Sequence, residues 1–140
     1  MENKHLVAVY GSLLSGLGNH RVMERAQGVL IGKGSTNDNI DLYSLGAFPS
    51  ISLIHDENGK PVKVEVYEVG DAGMVPLNAL EGYRGQGQNN FYERTLITIN
   101  MDDGSTVDAY IYHIDQKQGQ PIESGDWKAY LKGIGRYDGE

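Results

Sequence analysis

The sequence predicts an α+β domain built on a small, largely antiparallel, barrel-like β-sheet with short flanking helices. Three observations carry that prediction. Short segments rich in Val, Ile and Thr outnumber helical ones, in the order strand, short helix, several strands, helix, hairpin, short helix. Among the 140 residues are 19 glycines, about twice the share expected from a typical ~7%, and nine tyrosines, which suits short strands joined by tight turns. Two turn signals, Asn58-Gly59 within Asp56–Lys60 and Asp103-Gly104 within Met101–Ser105, stand where hairpins need residues that accept positive φ.

Each element follows from its local pattern. Leu6–Tyr10 is short and apolar throughout, as a buried strand is. The Gly-rich loop Ser15–Asn19 leads to a short helix ending near Ala26, with Asn19 placed to cap it. Val29–Gly34, Ile40–Leu45 and Ser50–Ile54 read as strands. Val62–Val69 alternates apolar and polar, losing phase at Tyr67, where a bulge is expected. Asp71–Gly73 opens a helix that reaches about Gly82, and the polar stretch Arg84–Asn90 reads as a mobile loop at its end. Tyr92–Asn100 and Thr106–Ile114 form the second hairpin. A polar linker, Asp115–Gly125, precedes a short amphipathic helix near Asp126–Leu131, in which Trp127, Tyr130 and Leu131 pack; the tail 133–140 is expected to be loose.

Composition narrows the function. The length suits one domain, residues 1–140, with a sizeable core. A net charge of -7, with no run of basic residues, argues against nucleic acid. Without cysteine there is no disulfide, thiolate nucleophile or Cys-ligated metal, and the four histidines lack metal-ligand spacing, so no metal or cofactor is expected. No segment approaches the ~20 apolar residues of a membrane span, and the start of the chain is unlike a secretory leader, so a cytoplasmic location is expected. Oligomeric state is left open.

Two places carry possible chemistry. Tyr10-Gly11-Ser12-Leu13 follows the first strand, and such a Gly-containing loop can offer backbone N–H groups to an oxyanion or carboxylate. The same residues also fit a plain turn in which Ser12 bonds its own backbone. Ser12 makes a poor nucleophile, having no His base and orienting acid in a recognised setting. The second place is Glu81. On a helix spanning roughly 74–82, at ~100° per residue, it falls with Met74, Leu77 and Leu80 on one face. Either the helix ends early and Glu81 is solvated, or Glu81 faces a pocket where desolvation lifts its pKa toward that of a general base.

Taken in order, VAVYGSLLSG (Val7–Gly16), LGAFPSI (Leu45–Ile51), VEVYEV (Val64–Val69), LNALEGY (Leu77–Tyr83), Tyr92-Glu93-Arg94, AYIYHI (Ala109–Ile114) and SGDW (Ser124–Trp127) resemble the γ-glutamylcyclotransferase-like family, which includes γ-glutamylamine cyclotransferases and AIG2-like proteins. The resemblance implies a small mixed barrel with a cavity at one end. It implies that the Tyr10–Leu13 loop binds a substrate's glutamyl head through backbone groups, with Phe48, Tyr92 and Tyr112 beside it, and that Glu81 is the acid/base. The implied activity is release of 5-oxoproline and a free amine from a γ-glutamyl compound; the alternative is a non-catalytic module that binds a small molecule or a protein in the same cavity. Two departures stand out. Asn78 occupies a place where the family often carries an acid, and is expected to be peripheral. The Arg84–Asn90 loop is family-variable and leaves the departing amine open.

Overall fold

The computed structural model describes residues 3–53, 59–115 and 119–137. Its centre is a closed five-stranded barrel in the order β1 (Lys4–Val9), β5 (Lys63–Gly70), β2 (Val29–Thr36), β6 (Glu93–Met101), β7 (Thr106–His113). Every neighbouring pair is antiparallel except β7 against β1, which closes the barrel in parallel through Val7 and Tyr110. Closure leaves the barrel without a bare edge strand. A separate three-stranded sheet, in the order β4 (Pro49–Ser52), β3 (Asp41–Ser44), β8 (Gln120–Pro121), lies outside it. The helices are α1 (His20–Arg25), α2 (Asp71–Glu81) and α3 (Trp127–Gly133). No helix among the described residues is long and apolar enough to cross a membrane.

The predicted α+β barrel is present, with local differences that have physical reasons. The bulge expected on β5 at Tyr67 lies opposite it, on β2: Leu30 pairs with Tyr67 and Gly32 with Val66, leaving Ile31 as the extra residue. The phase break in β5 arises because both of its faces are covered. Val64 and Val66 are buried on one face, and Glu65 and Tyr67 are buried on the other. Asn19 holds the N-cap position of α1, but its side chain does not cap. It donates instead to Ser12 Oγ at 2.9 Å. β8 was absent from the sequence expectation, since two residues paired to Tyr43 and Ser44 leave no periodicity to read. The Asp103-Gly104 hairpin forms, with Met101 accepting from the Gly104 N–H. The Asp56–Asn58 part of the other turn signal lies outside the described residues.

Core packing draws on strands and helices alike, with Val7, Val66, Ile99, Ile111, Leu77 and Trp127 all 2% exposed or less. Trp127 and Leu131 are buried as expected, and Tyr130 stacks on the Trp127 ring at 5.4 Å. Beyond α3, Arg136 donates to the Gly46 carbonyl at 2.6 Å, which braces the turn Leu45–Phe48.

Candidate active site

α2 determines where Glu81 goes. Its C-terminus is closed by Gly82 in the left-handed region (φ 67), with the Tyr83 N–H returning to the Asn78 carbonyl at 2.9 Å. Glycine is required there twice over: a Cβ would also meet the Phe91 Cβ at 2.8 Å. The same end is stitched to the approach to β6. The Glu81 carbonyl accepts from Tyr92 N–H at 3.2 Å, and the Gly82 carbonyl accepts from Phe91 N–H at 2.9 Å. The helix therefore neither ends early nor frays before Glu81. Leu80, expected on the buried face, is 40% exposed at the pocket mouth.

Glu81 opens into a cavity of about 320 Å³. Its walls come from the end of β1 and the loop after it (Ala8–Leu13, Asn19), from Phe48 and Pro49, from Leu80 and Glu81, and from Phe91, Tyr92 and Tyr112. Every residue singled out from the sequence, Tyr10, Gly11, Ser12, Leu13, Phe48, Glu81, Tyr92 and Tyr112, lines this one cavity. Ala8, Val9, Asn19, Leu80 and Phe91 also line it and were not singled out. Phe91 was within reach, as the apolar neighbour of Tyr92; Asn19 was not, because it arrives only through the fold of its loop.

The loop's backbone geometry suits an anion. The carbonyls of Gly11, Ser12 and Leu13 are all engaged, accepting from Leu14 N–H, Asn19 N–H and the His20 ring at 2.9–3.1 Å. All peptides among the described residues are trans, so each N–H points opposite to the preceding carbonyl. The Ser12 and Leu13 N–H groups thus turn away from the segment that holds those carbonyls. Among the described residues, the N–H groups of Gly11, Ser12 and Leu13 donate to no protein acceptor. Gly11 is packed so close to Pro49 that a Cβ would lie 2.6 Å from its ring.

Three tyrosines face the acid with their hydroxyls committed elsewhere. Tyr10 donates to the Tyr112 carbonyl at 2.7 Å, Tyr92 to the Pro49 carbonyl at 2.6 Å, and Tyr112 to Asn78 Oδ1 at 2.6 Å. Asn78 also accepts from Arg94 at 3.4 Å, so it orients a pocket residue and is not peripheral. Burial, and after it the Glu81 charge, pushes the Tyr92 and Tyr112 hydroxyls above their ordinary value; burial, Tyr92 and Glu81 do the same for Tyr10. They remain neutral donors at physiological pH.

The Glu81 carboxyl has no hydrogen bond or ion pair among the described residues, and it is the one formally charged side chain lining the cavity. Burial alone pushes its pKa from 4.5 up to about 7. A carboxyl with that pKa, mostly enclosed and unpaired, can take and return a proton near neutrality.

One other arrangement has catalytic looks. Thr95 Oγ1 and Asp115 Oδ1 flank the buried His113 ring at 2.7 and 2.8 Å. None of the three lines the cavity, and Asp115 also accepts the Leu53 N–H at 2.9 Å, which ties the outer sheet to the barrel. Its role is structural. Among the described residues no three His, Asp or Glu side chains converge as a metal site would need.

Comparisons with known proteins bear on the family and the fold. Residues 7–129 match the family model described as "Gamma-glutamyl cyclotransferase, AIG2-like". The chain is 38% identical over 121 residues to the gamma-glutamylcyclotransferase family protein YtfP of Escherichia coli, covering 86% of this chain and 94% of that one. It is 32% identical over 124 residues, covering 89% and 96%, to a Methanocaldococcus jannaschii protein whose name gives the same activity provisionally. Among solved structures, an AIG2-like protein from Mus musculus superposes with a TM-score of 0.70 at 23% identity, covering 83% of this chain and 80% of that one, a likeness of fold. The match spans the Tyr10–Leu13 loop, Glu81 and the strands that bring them together, and by it the chain belongs to the AIG2-like gamma-glutamyl cyclotransferase family.

Proposed function

We propose that this chain is a γ-glutamyl cyclotransferase acting on a γ-glutamyl amine or peptide, with Glu81 as its general acid and base. The observation that carries the reading is the state of Glu81: a carboxyl without a protein partner among the described residues, in the wall of a cavity, with its pKa raised by burial to about 7. An unpaired buried carboxylate costs stability, and proton transfer gives it a purpose.

The reaction requires no other protein nucleophile. The substrate's α-ammonium group loses a proton to the Glu81 carboxylate and, as a free amine, attacks its own γ-carbonyl carbon. A five-membered ring forms through a tetrahedral oxyanion. With its first proton passed to solvent, Glu81 takes the second proton from the ring nitrogen and hands it to the departing nitrogen as that bond breaks, giving 5-oxoproline and a free amine. The N–H groups of Gly11, Ser12 and Leu13 hold the substrate's carboxylate or the developing oxyanion, since they have no competing acceptor among the described residues. The three tyrosines, fixed by hydrogen bonds to Tyr112 O, Pro49 O and Asn78, shape the cavity so that the glutamyl chain is held folded for ring closure.

The test is 5-oxoproline formation from a panel of γ-glutamyl amines and dipeptides, by wild type and Glu81→Gln. The expected result is turnover of at least one compound, slowed by about 10²–10⁴-fold in the variant. Equal turnover by both proteins removes Glu81 from the chemistry. Saturable binding without product from any compound favours the non-catalytic module.

A further inference from the structure

Outside the cavity, the most heavily bonded titratable group is Glu65 on β5. Its carboxylate is 3% exposed, a degree of burial that charged residues rarely reach unless paired. It accepts the Ser15 N–H at 2.8 Å, the Ser15 hydroxyl at 2.7 Å and the Tyr67 hydroxyl at 2.8 Å. Lys128 of α3 stands 3.5 Å from its other oxygen and donates to Ser15 Oγ at 3.2 Å. Although burial pushes its pKa up, the bonds from Ser15 and Tyr67 and the Lys128 charge more than offset that, so Glu65 stays ionised.

The position of Ser15 gives this cluster its meaning. Among the described residues the N–H groups of Gly11, Ser12 and Leu13 are unclaimed, Leu14 N–H closes a turn on Gly11, and Ser15 N–H is taken by the protein's own carboxylate. Glu65 thus marks the end of the anion-binding stretch and clamps it from behind through two bonds to one residue. A negative charge so near the loop would repel a bound carboxylate, and Lys128, in contact with both Glu65 and Ser15, counters it. None of these bonds reaches α2, which carries Glu81.

We infer that Glu65 is a positioning residue for the Gly11–Leu13 loop, acting through Ser15 and neutralised by Lys128, and that it governs substrate affinity and not the chemical step. The identity of the bound anion as a substrate carboxylate rests on the proposed function; the clamp on the loop does not.

The experiment compares wild type, Glu65→Gln, Ser15→Ala and Lys128→Met by steady-state kinetics on a γ-glutamyl substrate. Calorimetric titration with glutamate and amide hydrogen exchange over residues 11–15 complete it. For Glu65→Gln, KM and the glutamate dissociation constant should rise about tenfold with kcat within about twofold, the size of one lost charge-assisted hydrogen bond. Ser15→Ala should give a smaller rise, about threefold, and Lys128→Met a rise in KM without faster exchange of the Ser15 amide. A fall in kcat at unchanged KM, or unchanged affinity in all three folded variants, overturns the inference. If Glu65→Gln does not fold, Ser15→Ala and Lys128→Met decide the question. If wild type turns over no γ-glutamyl compound and binds no glutamate, the proposed function fails by itself. Exchange then decides the clamp: a Ser15 amide no faster in Glu65→Gln than in wild type overturns it.

Discussion

Replacing Glu81 with glutamine should slow the enzyme and stabilise the protein at the same time, and the second effect has a pH dependence that can be worked out. In the folded chain the carboxyl has a pKa of about 7, against 4.5 for an ordinary glutamate. Below pH 4.5 folded and unfolded chains both hold the proton, and Glu81 contributes no pH dependence. Between 4.5 and 7 the folded chain holds a proton that the unfolded chain has lost, so wild-type stability falls as pH rises. At about 1.4 kcal/mol for each pH unit, the loss is of the order of 3 kcal/mol and is complete above pH 7. Glutamine at this position mimics the protonated acid at every pH and escapes the loss. Thermal or urea unfolding of both proteins from pH 4.5 to 8 measures it, and subtracting one curve from the other cancels the remaining titrating groups. The variant should gain nothing at pH 4.5 and up to about 3 kcal/mol at pH 8, of the order of 10 °C for a chain of this size. Parallel pH curves for the two proteins would refute the reasoning, because a solvated Glu81 has no such linkage.

Gly11→Ala places a methyl group 2.6 Å from the Pro49 ring, so the loop or β4 must shift. KM should rise by about tenfold or more, with about 1–3 kcal/mol lost from stability in urea titration. Phe91 is 57% exposed and meets the Phe48 ring edge-on at 5.9 Å beside the cavity. Phe91→Ala should leave the unfolding midpoint nearly unchanged, while kcat/KM falls about 10-fold for bulky apolar leaving amines and little for small ones. Asn78→Ala removes the acceptor of the Tyr112 hydroxyl, which should cost about 1–3 kcal/mol and weaken product inhibition by 5-oxoproline.

Much of this was legible in the sequence because it depends on local pattern. The strand leading up to Tyr10, the helix end near Gly82 and the spacing that puts Glu81 with Met74 and Leu77 on one helix face are all properties of neighbouring residues. Glycine turns likewise announced the β6–β7 hairpin. What escaped was set by contacts distant in the chain. Asn78 looked peripheral until β7 brought Tyr112 to it, thirty-four residues on. Asn19 had the residue type and position of a cap, yet its side chain caps nothing and its amide donates to Ser12 Oγ. The β5 phase break comes from a second buried face and not from a bulge in that strand; the extra residue, Ile31, belongs to β2, where the sequence pattern shows no sign of it. Glu65 reads as an exposed alternate of VEVYEV, and only the return of the loop and α3 over that face buries it.

A crystal structure with 5-oxoproline bound is the decisive measurement, because the ring nitrogen is the atom that Glu81 deprotonates in the proposed reaction. The account predicts the ligand in the cavity between the Gly11–Leu13 loop and α2, its carboxylate on the loop's backbone N–H groups. The Glu81 carboxyl should then lie within about 2.6–3.2 Å of the ring nitrogen. A ligand bound elsewhere, or one seated in the cavity with Glu81 turned away from that nitrogen, would contradict it.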